Sequence, residues 1–141
     1  DLAELDRVDD SRKLVDWLVS RCGRRVPLMI DSRDPAASFV NELRARGVRV
    51  NTTTQNDAGR ASGGLLDAVV EGRVWHCDQP AIRAALEVAE KKLIGKAGPR
   101  WEWDIADPTP EIAALRALTL AHYGLSFSKK KASGGRKVVT F

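Results

Sequence analysis

The sequence predicts an α/β domain: a partly parallel sheet flanked by helices. Three observations carry that expectation. Two short apolar runs, Val26-Pro27-Leu28-Met29-Ile30-Asp31 and Val48-Arg49-Val50, are separated by one helix-length segment, and a strand, helix and strand of that length imply a right-handed crossover in a parallel sheet. The first run is apolar almost throughout rather than alternating, which suits a strand covered on both faces. Apolar residues at three-to-four spacing recur on either side of the unit, as amphipathic helices packed on a sheet require.

Taken in order, the turn signal Asp9-Asp10-Ser11 precedes Leu14, Val15, Leu18, Val19 and Cys22, with Gly23 as the stop, and reads as a capped helix. The first strand then ends on Asp31. Asp34-Pro35 is an N-cap followed by proline at the first helical position, with Phe39, Val40 and Leu43 as the apolar face before Gly47. After the second strand, a polar stretch over residues 51 to 57 leads into a helix through Leu65, Leu66, Ala68 and Val69 that stops at Gly72. Val74-Trp75-His76 is expected as a short strand. Asp78 and Pro80 repeat the cap signal for a helix carrying Ile82, Leu86, Val88 and Ala89 and ending near Lys92. Residues 95 to 99 read as a loop, Trp101-Glu102-Trp103-Asp104 alternates apolar with acidic, and Thr109-Pro110-Glu111 caps a last helix through Ile112, Leu115, Leu118 and Tyr123 to Gly124.

A chain of 141 residues, 43% hydrophobic, suits one domain with its own core and no need of metal or disulfide staples. No stretch approaches the roughly 20 apolar residues of a membrane span, so a soluble, cytoplasmic protein without a membrane partner is expected. Cys22 and Cys77 lie far apart without CxxC spacing, as reduced structural thiols would. Residues 126 to 141 carry five cations and no acid, so within a net charge of +4 the rest of the chain balances at −1. The basic character belongs to that stretch, which reads as a flexible solvated tail rather than as a sign of a basic body.

Asp31, Asp104, Asp107 and Glu111 are the acids whose placement allows chemistry. A carboxylate at the carboxyl end of a buried parallel strand stands where open α/β sheets bind ligands; it equally suits a loop or helix cap. Glu111 in a first helical turn favours the helix dipole, and Asp104 and Asp107 are ordinary turn residues. Carboxylates from separate elements that converge at one sheet end supply the hard oxygens that Mg²⁺ or Mn²⁺ prefers. His76, Cys77 and His122 have no zinc spacing. Gly59, Gly63 and Gly64 form neither a phosphate loop nor a dinucleotide fingerprint. Trp75, Trp101 and Trp103 suit a core better than base stacking.

Three segments in this order resemble the nuclease part of large terminase subunits of tailed phages, particularly those of actinobacterial hosts. Leu28-Met29-Ile30-Asp31-Ser32-Arg33-Asp34-Pro35-Ala36-Ala37-Ser38 looks like that family's strand ending in Asp before a Gly-Pro-Ala-type helix start. Asp67-Ala68-Val69-Val70-Glu71-Gly72-Arg73-Val74-Trp75-His76 is similar to its DAV-x-EG-x-x-x-H segment. Trp103 and Glu111-Ile112-Ala113-Ala114-Leu115, running into Ala117-Leu118-Thr119-Leu120-Ala121, resemble its W…DISPLVAATLA ending.

The resemblance implies an RNase H-like fold and a metal-dependent endonuclease that cuts concatemeric viral DNA during packaging in a bacterial host cell. Mg²⁺ or Mn²⁺ would be the cofactor, and double-stranded DNA, other terminase subunits and the portal the partners. Asp31 takes the place of the acid after the central strand. Glu111 stands where the family usually has Asp, which keeps the oxygen ligand on a longer side chain, and Asp107 is the alternative. The family's first strand, with its own acid, has no counterpart before Ala3-Glu4-Leu5. The expectation is therefore a domain lacking its first strands, inactive by itself and able to self-associate through an exposed sheet edge. The basic tail lies beyond the resemblance; a non-catalytic DNA-binding or assembly module derived from the same domain is the alternative reading.

Overall fold

A computed structural model describes residues 10–23, 26–75, 78–95, 100–105 and 112–127. These form a mixed α/β structure in which a parallel pair of strands lies between two groups of helices. Helix α1 (Ser11–Cys22) starts where expected, since the Asp10 side chain accepts a hydrogen bond from the Arg12 backbone N–H. Strand β1 (Leu28–Asp31) follows. The Asp34 carboxylate caps a 3-10 turn, Pro35–Phe39, that runs into α2 (Val40–Ala45). Strand β2 (Val50–Thr53) then pairs in parallel with β1, from Leu28 opposite Val50 to Asp31 opposite Thr53.

β2 begins at the last residue of the run expected to form it and continues through three polar residues. The threonines are β-branched and fit a pleated ladder, while Val48 is buried ahead of the strand. Residues paired in a parallel ladder point to the same face. Leu28, Ile30 and Val50 therefore meet Val15 of α1 and Val40 and Leu43 of α2 in one core cluster. Met29, Asp31, Asn51 and Thr53 point to the opposite face.

That opposite face is met by α3 (Gln55–Val70) and α5 (Ala113–Gly124). α3 starts with a reciprocal cap, in which the Thr54 side chain accepts from the Asp57 backbone and Asp57 accepts from the Thr54 backbone. α5 approaches β1 so closely that a Cβ on Gly124 would lie 2.7 Å from Met29 Cγ; glycine is what the contact permits. The second core cluster joins Leu65 of α3, Ile82 and Ala85 of α4 (Pro80–Val88), and Ile112, Leu115 and Leu118 at and within α5.

Three expectations are corrected around α4. Val74 and Trp75 form no strand, and Trp75 is 68% exposed, so this tryptophan is not a core residue. Asp78 is not the cap: it takes a left-handed conformation, φ 54°, which aspartate tolerates better than most residues, and Gln79 occupies the cap position. The helix does not reach Lys92. Ala89 is already extended, and β3 (Ala89–Leu93) pairs antiparallel with β4 (Trp101–Ile105) over five residue pairs. Helix propensity is a weak preference that an available ladder overrides.

Trp101 and Trp103 stack edge to face on β4, with ring centroids 4.7 Å apart, and Lys91 lies over the Trp101 ring. α5 ends at Gly124, and a 3-10 turn, Leu125–Phe127, takes in the first two residues of the stretch read as tail. Among the described residues no helix is long and apolar enough to cross a membrane.

Candidate functional site

Asp31 is the last residue of β1, and its carboxylate is gripped by a residue two positions on. Oδ1 accepts from the Arg33 backbone N–H at 2.9 Å and from Nε at 3.0 Å, while Oδ2 accepts from Nη2 at 2.7 Å. The same guanidinium donates to Glu102 on β4, Nη1 to Oε1 at 3.2 Å and Nη2 to Oε2 at 2.8 Å. Two carboxylates from separate sheets thus face each other across one cation. Both acids are well covered, with side chains 21% and 13% exposed for Asp31 and Glu102.

They border a groove of about 770 Å³. Met29 and Ile30 line it from β1, Ala58 and Ser62 from α3, Trp103 from β4, and Ala113, Arg116 and Leu120 from α5. Further along the acidic face of β4, Asp104 pairs with Lys92 at 3.0 Å and lies 4.0 Å from Arg116. Strand alternation explains this face: Trp101 and Trp103 point one way, Glu102 and Asp104 the other.

Burial pushes the Asp31 carboxyl up, but the side-chain and backbone hydrogen bonds from Arg33, with the charges of Arg33 and Arg116, outweigh it and hold the group below its ordinary value. Its carboxylate contacts therefore stabilise the fold above the unfolded-state pKa of Asp, and that contribution is lost as pH falls through the lower folded value. Denaturant midpoints followed from neutral to strongly acidic pH are expected to fall less steeply for Asp31→Asn than for the parent. Equal slopes would mean that the pair does not favour the charged form.

No protein-family model, curated protein or solved structure matches this chain. The site is therefore read from its own residues. Glu111 and Asp107 lie outside the described residues, as do His76 and Cys77, while Ile112 and Ala113, the residues that follow Glu111, line the groove beside Asp31. Among the described residues, no group of three or more His, Cys, Asp or Glu side chains could hold a metal ion. His122 is half-buried on α5, and Gly59, Gly63 and Gly64 lie inside α3. Cys22 is half-buried, and burial pushes its thiol up, which suits an unreactive structural cysteine.

Sequence reasoning missed Glu102 and Arg33 as parts of the site. The signal for Glu102 was present in Trp101-Glu102-Trp103-Asp104: read as a strand, it sets both acids on the face opposite the tryptophans. That Arg33 turns back onto Asp31 and not outward depends on Glu102 arriving from a distant part of the chain.

Proposed function

We propose that this chain belongs to the nuclease domain of a phage DNA-packaging terminase, RNase H-like in fold, which in the protein that carries it cuts double-stranded viral DNA with Mg²⁺ or Mn²⁺. The observation that carries the reading is the meeting of Asp31, at the carboxyl end of a parallel strand, with Glu102 at the border of an open groove. Ligands of α/β sheets bind at that end of the strands. A β1–α2–β2 unit with helices on both faces and the order of the three resembling segments support the same assignment. Glu111 and Asp107 remain the proposed further ligands.

The donor set fits a divalent cation, since paired carboxylates are the hard oxygen ligands Mg²⁺ and Mn²⁺ take. The Arg33 guanidinium holds the charge between them and has to swing out for the ion to enter. A bound metal would activate water and stabilise the attacking and leaving oxygens of the phosphodiester. Asp31 and Glu102 would supply oxygens to it, and Arg33, once released, would carry its charge toward the phosphate. Contacts to DNA would be mainly to phosphates, which carry no sequence information. Other terminase subunits and the portal would be the protein partners, and a sheet edge the place for self-association.

The ion pair itself favours a second reading, a non-catalytic DNA-binding or assembly module in which Arg33 permanently ties β1 to β4. Titration with Mn²⁺ separates the two. Under the nuclease reading, Asp31→Ala and Glu102→Gln each weaken binding tenfold or more, and Arg33→Gln strengthens it. A parent and an Asp31→Ala variant with the same Mn²⁺ affinity would leave only the module.

A further inference from the structure

A second cavity, of about 430 Å³, lies at the outer edge of β2, lined by Met29, Arg44, Asn51, Thr53, Asp57 and Tyr123 among others. Two of its lining side chains are left with unmet polar atoms among the described residues. Thr53 is 1% exposed and its Oγ1 has no hydrogen-bond partner, and the buried Asn51 Nδ2 has none either. Buried polar groups are nearly always paired, so an orphan of this kind asks for a ligand, an ion or a water.

What the cavity offers determines what it can take. The Asn51 Nδ2 is a donor only, and the Thr53 hydroxyl can donate. The acid in the wall keeps its negative charge, but its oxygens are already engaged: Asp57 Oδ2 accepts from the Thr54 backbone N–H at 2.9 Å and from its hydroxyl at 2.7 Å, and Oδ1 accepts from the Tyr123 hydroxyl at 3.2 Å. The backbone and side-chain bonds from Thr54, the Tyr123 hydroxyl and the charge of Arg60 together hold Asp57 below its ordinary value, against a smaller upward push from burial. Positive charge comes from Arg44, whose Nη2 donates to the Val50 carbonyl at 3.1 Å and so fixes the guanidinium at the cavity wall. Unspent donors beside a fixed cation call for a ligand made of acceptors. The space exceeds the roughly 30 Å³ share of one water.

We propose that this cavity is a binding site for a phosphate-class oxyanion, held by Thr53, Asn51 and Arg44. It rests on the cavity alone and stands whether or not the chain is a nuclease. The oxyanion is either free phosphate or a phosphate of a nucleic-acid backbone; Thr53 lies in register with Asp31 on the same face of the sheet.

Inorganic phosphate and a short DNA duplex are the two probes, each titrated by calorimetry at fixed ionic strength against the parent, Thr53→Val and Thr53→Ser. Valine keeps the shape and removes the hydroxyl. Loss of one hydrogen bond to a charged ligand is worth roughly ten- to hundredfold in affinity, so Thr53→Val is expected to bind phosphate at least tenfold more weakly and Thr53→Ser to retain binding. Because the orphan hydroxyl is a cost in the empty protein, Thr53→Val also melts higher than the parent. If valine does not fold, Asn51→Ala provides the same comparison. Duplex binding that phosphate competes away and Thr53→Val weakens assigns the site to a nucleic-acid backbone; binding of phosphate alone assigns it to the free ion. No phosphate binding by the parent, or equal binding by parent and variants, overturns the proposal. Since Asp31 and Glu102 take no part, their Mn²⁺ titration can fail while this succeeds, and the reverse.

Discussion

In the protein that carries this chain, Asp31→Asn is expected to lower Mn²⁺-dependent cutting of plasmid DNA by two orders of magnitude or more. Asparagine keeps the size of the side chain and one carbonyl oxygen, so the turn held by the Arg33 backbone N–H can persist while the negative charge goes. Charge is what a divalent cation and its activated water require. With no protein nucleophile in the proposed chemistry, positioning and electrostatic stabilisation are all that the site supplies, and removing a single oxyanion-hole donor, a smaller electrostatic change than loss of a full charge, already costs about 10²–10³-fold. Glu102→Gln should act in the same direction. Nicking and linearisation of supercoiled plasmid, with circular dichroism as the folding control, give the readout. Cutting at the parental rate by a folded Asp31→Asn protein would reduce Asp31 to a strut for Arg33.

The parts of this arrangement that were legible in the sequence are those fixed by local chemistry. The Asp10 and Asp34 caps, the apolar run ending on Asp31 and the stop near Gly124 all act through neighbouring residues, and each is found where the pattern sets it. What escaped depends on partners distant in sequence. Residues 89 to 93 carry Ala, Glu, Lys and Leu, good helix formers, and become a strand because β4 offers them a ladder. Asn51, Thr52 and Thr53 read as a polar connection and join β2 because β1 is available to pair with them. Glu102 reaches Arg33 across 69 positions of chain, a pairing no local spacing encodes. Trp75 shows the opposite case, an aromatic that composition assigns to a core and that packing leaves outside.

The largest loss of stability from a single truncation is expected in the cluster beneath β1 and β2, at Leu43. Its side chain is fully buried and lies in the cluster that α2 forms with Ile30, Val50 and Val15, so it helps to close one face of the parallel pair. α2 is only six residues long, too short to be stable by its own hydrogen bonds; this face holds it. Leu43→Ala removes apolar surface and leaves a cavity that a short helix tethered by β1 and β2 at both ends can collapse only in part. Such changes cost about 2–5 kcal/mol, a large share of the roughly 5–15 kcal/mol that domains possess. Leu86→Ala, at a side chain 48% exposed on α4, is the control and should cost much less. Urea unfolding gives both values, with an unchanged slope showing that the unfolded states match. A loss below about 1 kcal/mol at Leu43 would mean that the face relaxes around the missing atoms, and that α1 alone is enough to cover the sheet on which Asp31 is mounted.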